Sequence, residues 1–283
     1  MHEEPVAKTM SAWISSLWLF PPVDMAFKIQ RCIDSARNVQ SSADSGYLFF
    51  RADDIAVPGK NFARIMELFT RYMVPLSLAV VPAWLSGPRW KHLKGLGRKG
   101  PSLWCWHQHG WRHINHEHEG KKQEFGKSRS PSQIKRDLTQ GKRRLEIFME
   151  KDFYPVFTPP WNRCSDSTLE ILRELDYCAV SRDKGSLPPP EGFVDFQVNV
   201  DLHTRKESDP DKCMNNLLAE LKEGLISGSC GIMIHAQRMN EAAFSFLDIL
   251  LSALTRHKKL SLVHFKDLAH IKNSDCERRQ DLT

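Results

Sequence analysis

No Cys-x-x-Cys pair occurs in this 283-residue chain, and its seven cysteines are an odd number without tight spacing. That argues against a zinc knuckle or a dithiol redox centre and suits a reducing compartment. Cys105, Cys178 and Cys230 lie in or beside apolar runs and read as buried thiols. Long hydrophobic runs are also lacking. Ala12 to Phe20 is short and broken by serines, far too short to span a membrane. Met1-His2-Glu3-Glu4 is not the basic start of a secretory leader, so a cytoplasmic protein is expected. The 12–20 stretch reads as a packed amphipathic helix, with docking at a membrane face as the alternative. There is no internal repeat and no long linker. Charge of one sign does not dominate: 40 Lys and Arg face 34 Asp and Glu, a net of +6. The basic stretch Lys121 to Arg144 is interspersed with Glu and Asp and reads as a solvated helix face, so no nucleic-acid partner is expected. An anionic substrate or lipid headgroup is compatible with this balance.

What is present is a chain with 41% apolar residues, enough for one large core. Short apolar runs at 47–50, 76–81, 103–106, 156–157, 179–181, 193–200, 232–234 and 260–265 read as strands. Helical periodicity appears at 62–71, 132–151 (with Ser132 as cap), 165–175 (with Ser165 as cap), 217–226 and 242–257. Residues 87–101 and 116–130 read as loops, and the polar end after Ile271 is expected to fray. Strands alternating with helices imply a mostly parallel sheet, open or closed into a barrel. The expected division is a helical extension over 1–46, an α/β unit over 47–268 and a polar tail over 269–283.

Three strand-like runs lead into polar segments, the place where α/β enzymes put their chemistry. Arg51-Ala52-Asp53-Asp54 follows 47–50. Two adjacent carboxylates there are costly unless a cation or partner neutralises them. An extended chain points the two in different directions, so one could bind a metal while the other stays free as a base. The alternative is a cap for the following helix. His109 and His113, four apart, would share one face of a helix and could bind one ion through nitrogen. A chance pair on a helix surface is the alternative, and His116 and His118 read as solvated or rim residues. His235 ends the run 232–234. It is either a satisfied core histidine or, if opposite the aspartates, a general acid.

These segments, in this order, resemble the polysaccharide deacetylases of carbohydrate esterase family four, and the wording is closest to an outlying bacterial branch. Asp53-Asp54 resembles the family's first motif, His109-Gly110-Trp111-Arg112-His113 its H-[ST]-x-x-H motif, Thr158-Pro159-Pro160-Trp161-Asn162 its R-x-P motif, and Ile232-Met233-Ile234-His235 its L-x-x-H motif. The resemblance covers about residues 47–268. It implies a distorted seven-stranded (β/α) barrel. It further implies Asp53 as base, Asp54, His109 and His113 as metal ligands, and His235 as acid. The Trp161 N–H would bind the oxyanion, with Asn162 beside it. Trp161 and Trp84 are candidates to pack on a sugar ring. Zn²⁺ is the expected ion, with Co²⁺, Ni²⁺ or Fe²⁺ also fitting. The implied reaction removes an N-acetyl group from a sugar or glycan precursor, with nucleotide-linked and lipid-linked sugars as candidates. The other readings are a hydrolase of a non-sugar amide or formyl group and a non-catalytic glycan-binding or partner-binding barrel. Two departures stand out. Gly110 replaces the Ser or Thr of the second motif, and Thr158 replaces the arginine of the third, for which Arg51 or Arg163 could substitute. Asp201, near His203, is the best match to the remaining motif.

Overall fold

A computed structural model describes residues 14–39, 46–257 and 259–280. The expectations for 1–13 and 281–283 lie outside the described residues. In chain order the elements are α1 (Ser16–Leu19), α2 (Met25–Val39), β1 (Gly46–Ile55), α3 (Lys60–Tyr72), β2 (Leu76–Val80), α4 (Gly87–Leu96), β3 (Trp104–His109), α5 (Pro131–Met149), β4 (Phe153–Thr158), α6 (Asp166–Glu174), β5 (Ala179–Val180), β6 (Val194–Asp195), β7 (Val200–Asp201), α7 (Pro210–Ile226), β8 (Ser229–Ile234), α8 (Glu241–Thr255), β9 (Leu260–Val263) and α9 (Phe265–Gln280).

The strands form one parallel sheet in the order β6-β5-β4-β3-β2-β1-β8-β7, with β9 also paired to the first half of β1. This is the distorted (β/α) barrel expected, with nine strands rather than seven, three of them only two residues long. Its closure is unusual. The segment 194–201 pairs with β5 at its start and with β8 at its end, so one stretch of chain joins the two edges of the sheet. The run expected as a single strand over 193–200 is therefore split between two neighbours.

Period-two alternation sorts the residues of each strand. On β1, Leu48, Phe50 and Ala52 belong to the large core under the helices, whereas Phe49 belongs to a smaller cluster inside the barrel with Cys105, Val156, Ala179, Phe196, Met233 and Phe265. Phe265, at the start of α9, plugs this interior. Its ring lies 5.2 Å from Phe49, 5.1 Å from Phe196 and 4.9 Å from His107. The same alternation puts Arg51, Asp53, His107 and His109 above that plug.

Local signals explain several of the helices, and four helices differ from the sequence reading. Residues 87–96 are helix α4 rather than loop, because Ser86 caps the N–H of Arg89 and Pro88 suits the first turn. Helix α5 is capped by Ser130 rather than Ser132, in a reciprocal capping box with Gln133. Helix α7 begins at Pro210, capped by Asp209, several residues before the expected start. Helix α9 continues to Gln280, through the stretch expected to fray and across the 268/269 boundary. Cys178, expected to be buried, is exposed, whereas Cys105 and Cys230 are buried. Leu17, Trp18, Ile29 and Ile33 join the barrel's main core, and Trp18 Nε1 donates to the Leu202 carbonyl at 2.9 Å. No helix among the described residues is long and apolar enough to cross a membrane.

Gly231 is a point of close approach in the barrel interior. An added Cβ would lie 2.4 Å from Phe49 Cζ and 2.5 Å from the Gln197 carbonyl oxygen. Gly231→Ala is expected to lower unfolding free energy by about 1–3 kcal/mol, read by urea denaturation; an unchanged midpoint would show that the interior yields.

Candidate active site

Asp53 and Asp54 lie within β1, not after it, where the pairing of β1 with β2 slips between Ala52 and Ile55. Such a bulge re-aims side chains, and here Asp54 takes a left-handed φ of 61°. The two carboxylates diverge. Asp53 turns to Arg51, and Asp54 turns across the strand ends to the histidines.

His109 is the last residue of β3. His113 is not on a helix with it, contrary to the shared helical face expected from the spacing. The chain turns sharply through Gly110 (φ 56°) and His113 (φ 60°), and it is this turn that returns His113 to His109. Asp54 Oδ1 lies 3.2 Å from Nε2 of both histidines. That oxygen is buried and makes no hydrogen bond of good geometry among the described residues. His109 Nδ1 lies 3.0 Å from the Thr158 carbonyl, which can only accept, so Nδ1 carries a proton, and in the neutral imidazole Nε2 presents a lone pair. Gln237 Nε2 holds the other oxygen of Asp54 at 2.6 Å. Acceptor atoms that converge without a proton between them fit a cation. Nitrogen and oxygen ligands in tetrahedral array about Zn²⁺ are separated by roughly 3.3–3.6 Å, close to the spacings here. Among the described residues this is the group of three whose donor atoms could hold an ion.

The protonation states of Asp54 and His113 suit ligation, whereas that of His109 runs the other way, and an ion would have to displace its proton. Burial opposes the charge on Asp54, but His109, His235 and His113 outweigh it and hold its carboxyl well below the usual range. Burial, with His109 nearby, pushes His113 down to about 4, which keeps it a neutral ligand. For His109 burial again opposes the charge, and the contacts with Asp54 and Asp53 win and raise it.

Neither a protein-family model nor a curated protein sequence matches the chain. Solved structures do. A Mycobacterium smegmatis protein described as a polysaccharide deacetylase aligns with TM-score 0.64 at 14% identity, over 83% of this chain and 93% of its own. A mutant of a carbohydrate esterase family 4 pseudoenzyme from Bacillus anthracis aligns with TM-score 0.54 at 14% identity, over 81% and 68%. The family 4 acetyl xylan esterase from Clostridium thermocellum, solved with a cobalt ion, aligns with TM-score 0.51 at 13% identity, over 80% and 92%. The fold is that of carbohydrate esterase family 4.

Arg51, and not Arg163, is the guanidinium that meets Asp53. Its guanidinium pairs with both oxygens of Asp53 at 2.8 Å, and it also bonds Ser181 and the Asn162 side chain. Burial opposes ionisation of Asp53, but Arg51, helped by His109 and His235, lowers its pKa. Thr158 supports the histidines instead: its carbonyl holds His109, and its hydroxyl meets His107 Nε2 at 2.9 Å. Burial, then the charge of Arg51, pushes His107 down to about 3, so it is neutral.

Asp53, Asp54, His109, His113, Trp161, Asn162, Arg163, Asp201 and His235 all line one cavity of about 560 Å³. Trp161, at φ 57°, sets its ring 4.5 Å from that of His113, and Trp84 packs on the same imidazole at 5.9 Å. Asp201 and Arg163 stand on the wall rather than on Asp53. The Asp201 carboxylate accepts from the N–H groups of His203 and Thr204 and from the Thr204 hydroxyl. His116 and His118 line a different cavity. Reasoning from sequence gave no role to Ser181, Gln237 or His203. The last is buried, and its Nδ1 accepts the backbone N–H of His235 at 3.1 Å. No local pattern marks these residues; they join the site only through pairing across strands.

Burial, with the charges of His235 and Arg238, holds His203 well below its ordinary value. The folded state therefore keeps it neutral, while the unfolded chain takes up a proton below about pH 6.5. Stability from this group is complete above that pH and is lost as pH falls, at up to about 1.4 kcal/mol per unit. His203→Asn is expected to flatten the stability profile between pH 7 and pH 5 in chemical denaturation; an equal slope would show that His203 is protonated in the fold.

Proposed function

We propose that this protein is a metal-dependent hydrolase that removes an N-acetyl group from a sugar or glycan precursor. The observation that carries the reading is the convergence of Asp54 Oδ1 with Nε2 of His109 and His113, on the wall of a cavity that also presents Asp53 and His235. Asp54, His109 and His113 would hold one divalent ion, with Zn²⁺ the first choice for two imidazoles and a carboxylate, and Co²⁺, Ni²⁺ or Fe²⁺ as substitutes. Such an ion supplies Lewis acidity to the acetyl oxygen and lowers the pKa of water.

The chain's own residues do the rest. Asp53, kept ionised by Arg51, accepts the proton of the attacking water. The Trp161 N–H faces the oxygen that gains charge as the carbonyl carbon becomes tetrahedral. His235 gives a proton to the departing amine nitrogen, and the N–H bond from His235 to His203 holds its backbone in place. Asn162 fixes Arg51 and thereby Asp53. The Trp161 ring offers a face for a sugar.

The substrate we favour carries phosphate, as a nucleotide-linked or lipid-linked sugar would. Arg163, Lys206 and Arg238 stand around the cavity, as does Lys184, whose ammonium pairs with Glu223 at 2.6 Å. Of the two wall carboxylates, Asp201 is engaged in its own turn, and burial pushes Asp183 up to about 6, which thins its charge near neutrality. A cytoplasmic location, at the membrane face for a lipid-linked substrate, accords with the six described cysteines, all free. We keep 47–268 as the deacetylase-like unit and 1–46 as its helical extension, and 269–283 as a tail that begins inside α9.

Elemental analysis of protein purified without a metal-binding tag tests the reading. About one equivalent of ion is expected in the wild type and none in Asp54→Ala/His109→Ala. A wild type that takes up neither Zn²⁺ nor Co²⁺ is instead a non-catalytic barrel. Asp53→Asn is expected to keep the ion and lose turnover by about 10²–10⁴-fold; unchanged turnover would remove it as base. An N-acetylhexosamine 1-phosphate is expected to be hydrolysed with at least about tenfold higher kcat/KM than a neutral chitooligosaccharide, a difference of about 1.4 kcal/mol in transition-state binding. Equal values would refute the phosphate preference.

A further inference from the structure

Glu124 lies in the stretch 116–130, where composition suggests only a solvated loop, yet it is 1% exposed. Its carboxylate sits under the turn that joins the two histidines. Oε2 accepts the backbone N–H of Trp111 at 3.1 Å, and Oε1 accepts that of Arg112 at 2.6 Å. Two successive N–H groups following a left-handed residue form a concavity suited to an anion, and bonds from N–H to an ionised carboxylate are among the stronger ones.

Gly110 is the other half of the arrangement. A Cβ at position 110 would lie 2.2 Å from Glu124 Oε2 and 2.5 Å from Pro160 Cγ, in addition to the strain of φ 56°. The glycine that departs from the H-[ST]-x-x-H pattern therefore leaves the space that the carboxylate fills. The neighbouring residue holds Glu124 there. Phe125 is fully buried, and its carbonyl accepts the N–H of Ser165 at 2.9 Å and the Thr168 hydroxyl at 2.9 Å, at the start of α6. The rest of the turn is tied elsewhere: the Gly110 N–H to the Thr158 carbonyl, the Gly110 carbonyl to Gln108 Nε2, and the Trp111 carbonyl to the Ala83 N–H. The N–H groups of Trp111 and Arg112 depend on Glu124.

We infer that Glu124 is the positioning residue of the second histidine: through the N–H groups of Trp111 and Arg112 it sets the turn that carries His113 onto Asp54 and His109, in the space vacated at Gly110. The part that concerns ion binding rests on the metal site proposed above. The part that concerns the turn does not.

The test has two readouts on the full chain: Zn²⁺ titration by calorimetry, and hydrogen exchange at the Trp111 and Arg112 amides. Glu124→Ala is expected to weaken Zn²⁺ binding by about 10–100-fold and to speed exchange at those two amides. Glu124→Gln, which keeps one carbonyl oxygen, is expected to fall between it and the wild type. In a His113→Ala background the Glu124→Ala change is expected to have no further effect on Zn²⁺ affinity, because its effect passes through His113. Wild-type Zn²⁺ affinity in Glu124→Ala, or an effect that simply adds to that of His113→Ala, would overturn the inference. Should the wild type bind no ion, the metal reading falls alone. Exchange at the two amides then decides: faster exchange upholds the role of Glu124 in the turn, and unchanged exchange overturns it.

Discussion

A guanidinium with no solvent exposure sits inside the barrel, and the arrangement around it follows from the need to satisfy it. A buried charge is tolerated only when it is paired and its donors are occupied. Arg51 meets that demand with Asp53 two residues along its own strand, with Ser181 just beyond β5, and with Asn162 after β4. Three separate stretches of chain are thereby referred to one planar group. The ion pair in turn fixes the orientation of Asp53, the proposed base, and favours its ionised form. Removing either partner would leave the other stranded at low dielectric.

The interior is graded along the barrel axis. Phe265, Phe49 and Phe196 fill one end, Arg51 and His107 the middle, and Asp53, His109 and Met233 the end that opens to the cavity. Strand alternation selects which residues face inward, but the last step into the cavity needs departures from regular geometry. Asp54, His113, Trp161 and Asn162 all have positive φ and all line that cavity. Non-glycine residues held in this region cost free energy and persist where surrounding contacts over-determine them. Here those contacts are visible: Gln237 on Asp54, Glu124 beneath the His113 turn, and Arg51 on Asn162. The barrel supplies rigid strand ends, and the strained residues aim the chemistry.

The order of polar segments after apolar runs was legible in the chain. So was the set Asp53, Asp54, His109, His113, Trp161, Asn162 and His235, because residue types and their placement at strand ends are local properties. The path by which His113 reaches His109 was not. A spacing of four suggests a helix, and only the left-handed turn at Gly110, held from below by Glu124, brings the rings together. Helix α4 was hidden because glycine and proline at 87–88 look like a loop, although beside Ser86 they make a good helix start. The split of 194–201 between β5 and β8 was equally hidden, since an alternating run does not say which neighbours it will pair with.

By itself the sequence determined a mostly parallel α/β sheet and the residue types of the candidate site, since hydrophobic periodicity and residue type act over a few positions; the closed barrel was implied only by the resemblance. Only the tertiary structure decided who supports whom. Arg51 rather than Arg163 takes Asp53, Thr158 serves the histidines, Asp201 closes its own turn, and Glu124 leaves the surface to hold a loop. The physical reason is that hydrogen bonds and ion pairs between distant strands depend on register and side-chain direction, and both are fixed only when the sheet closes.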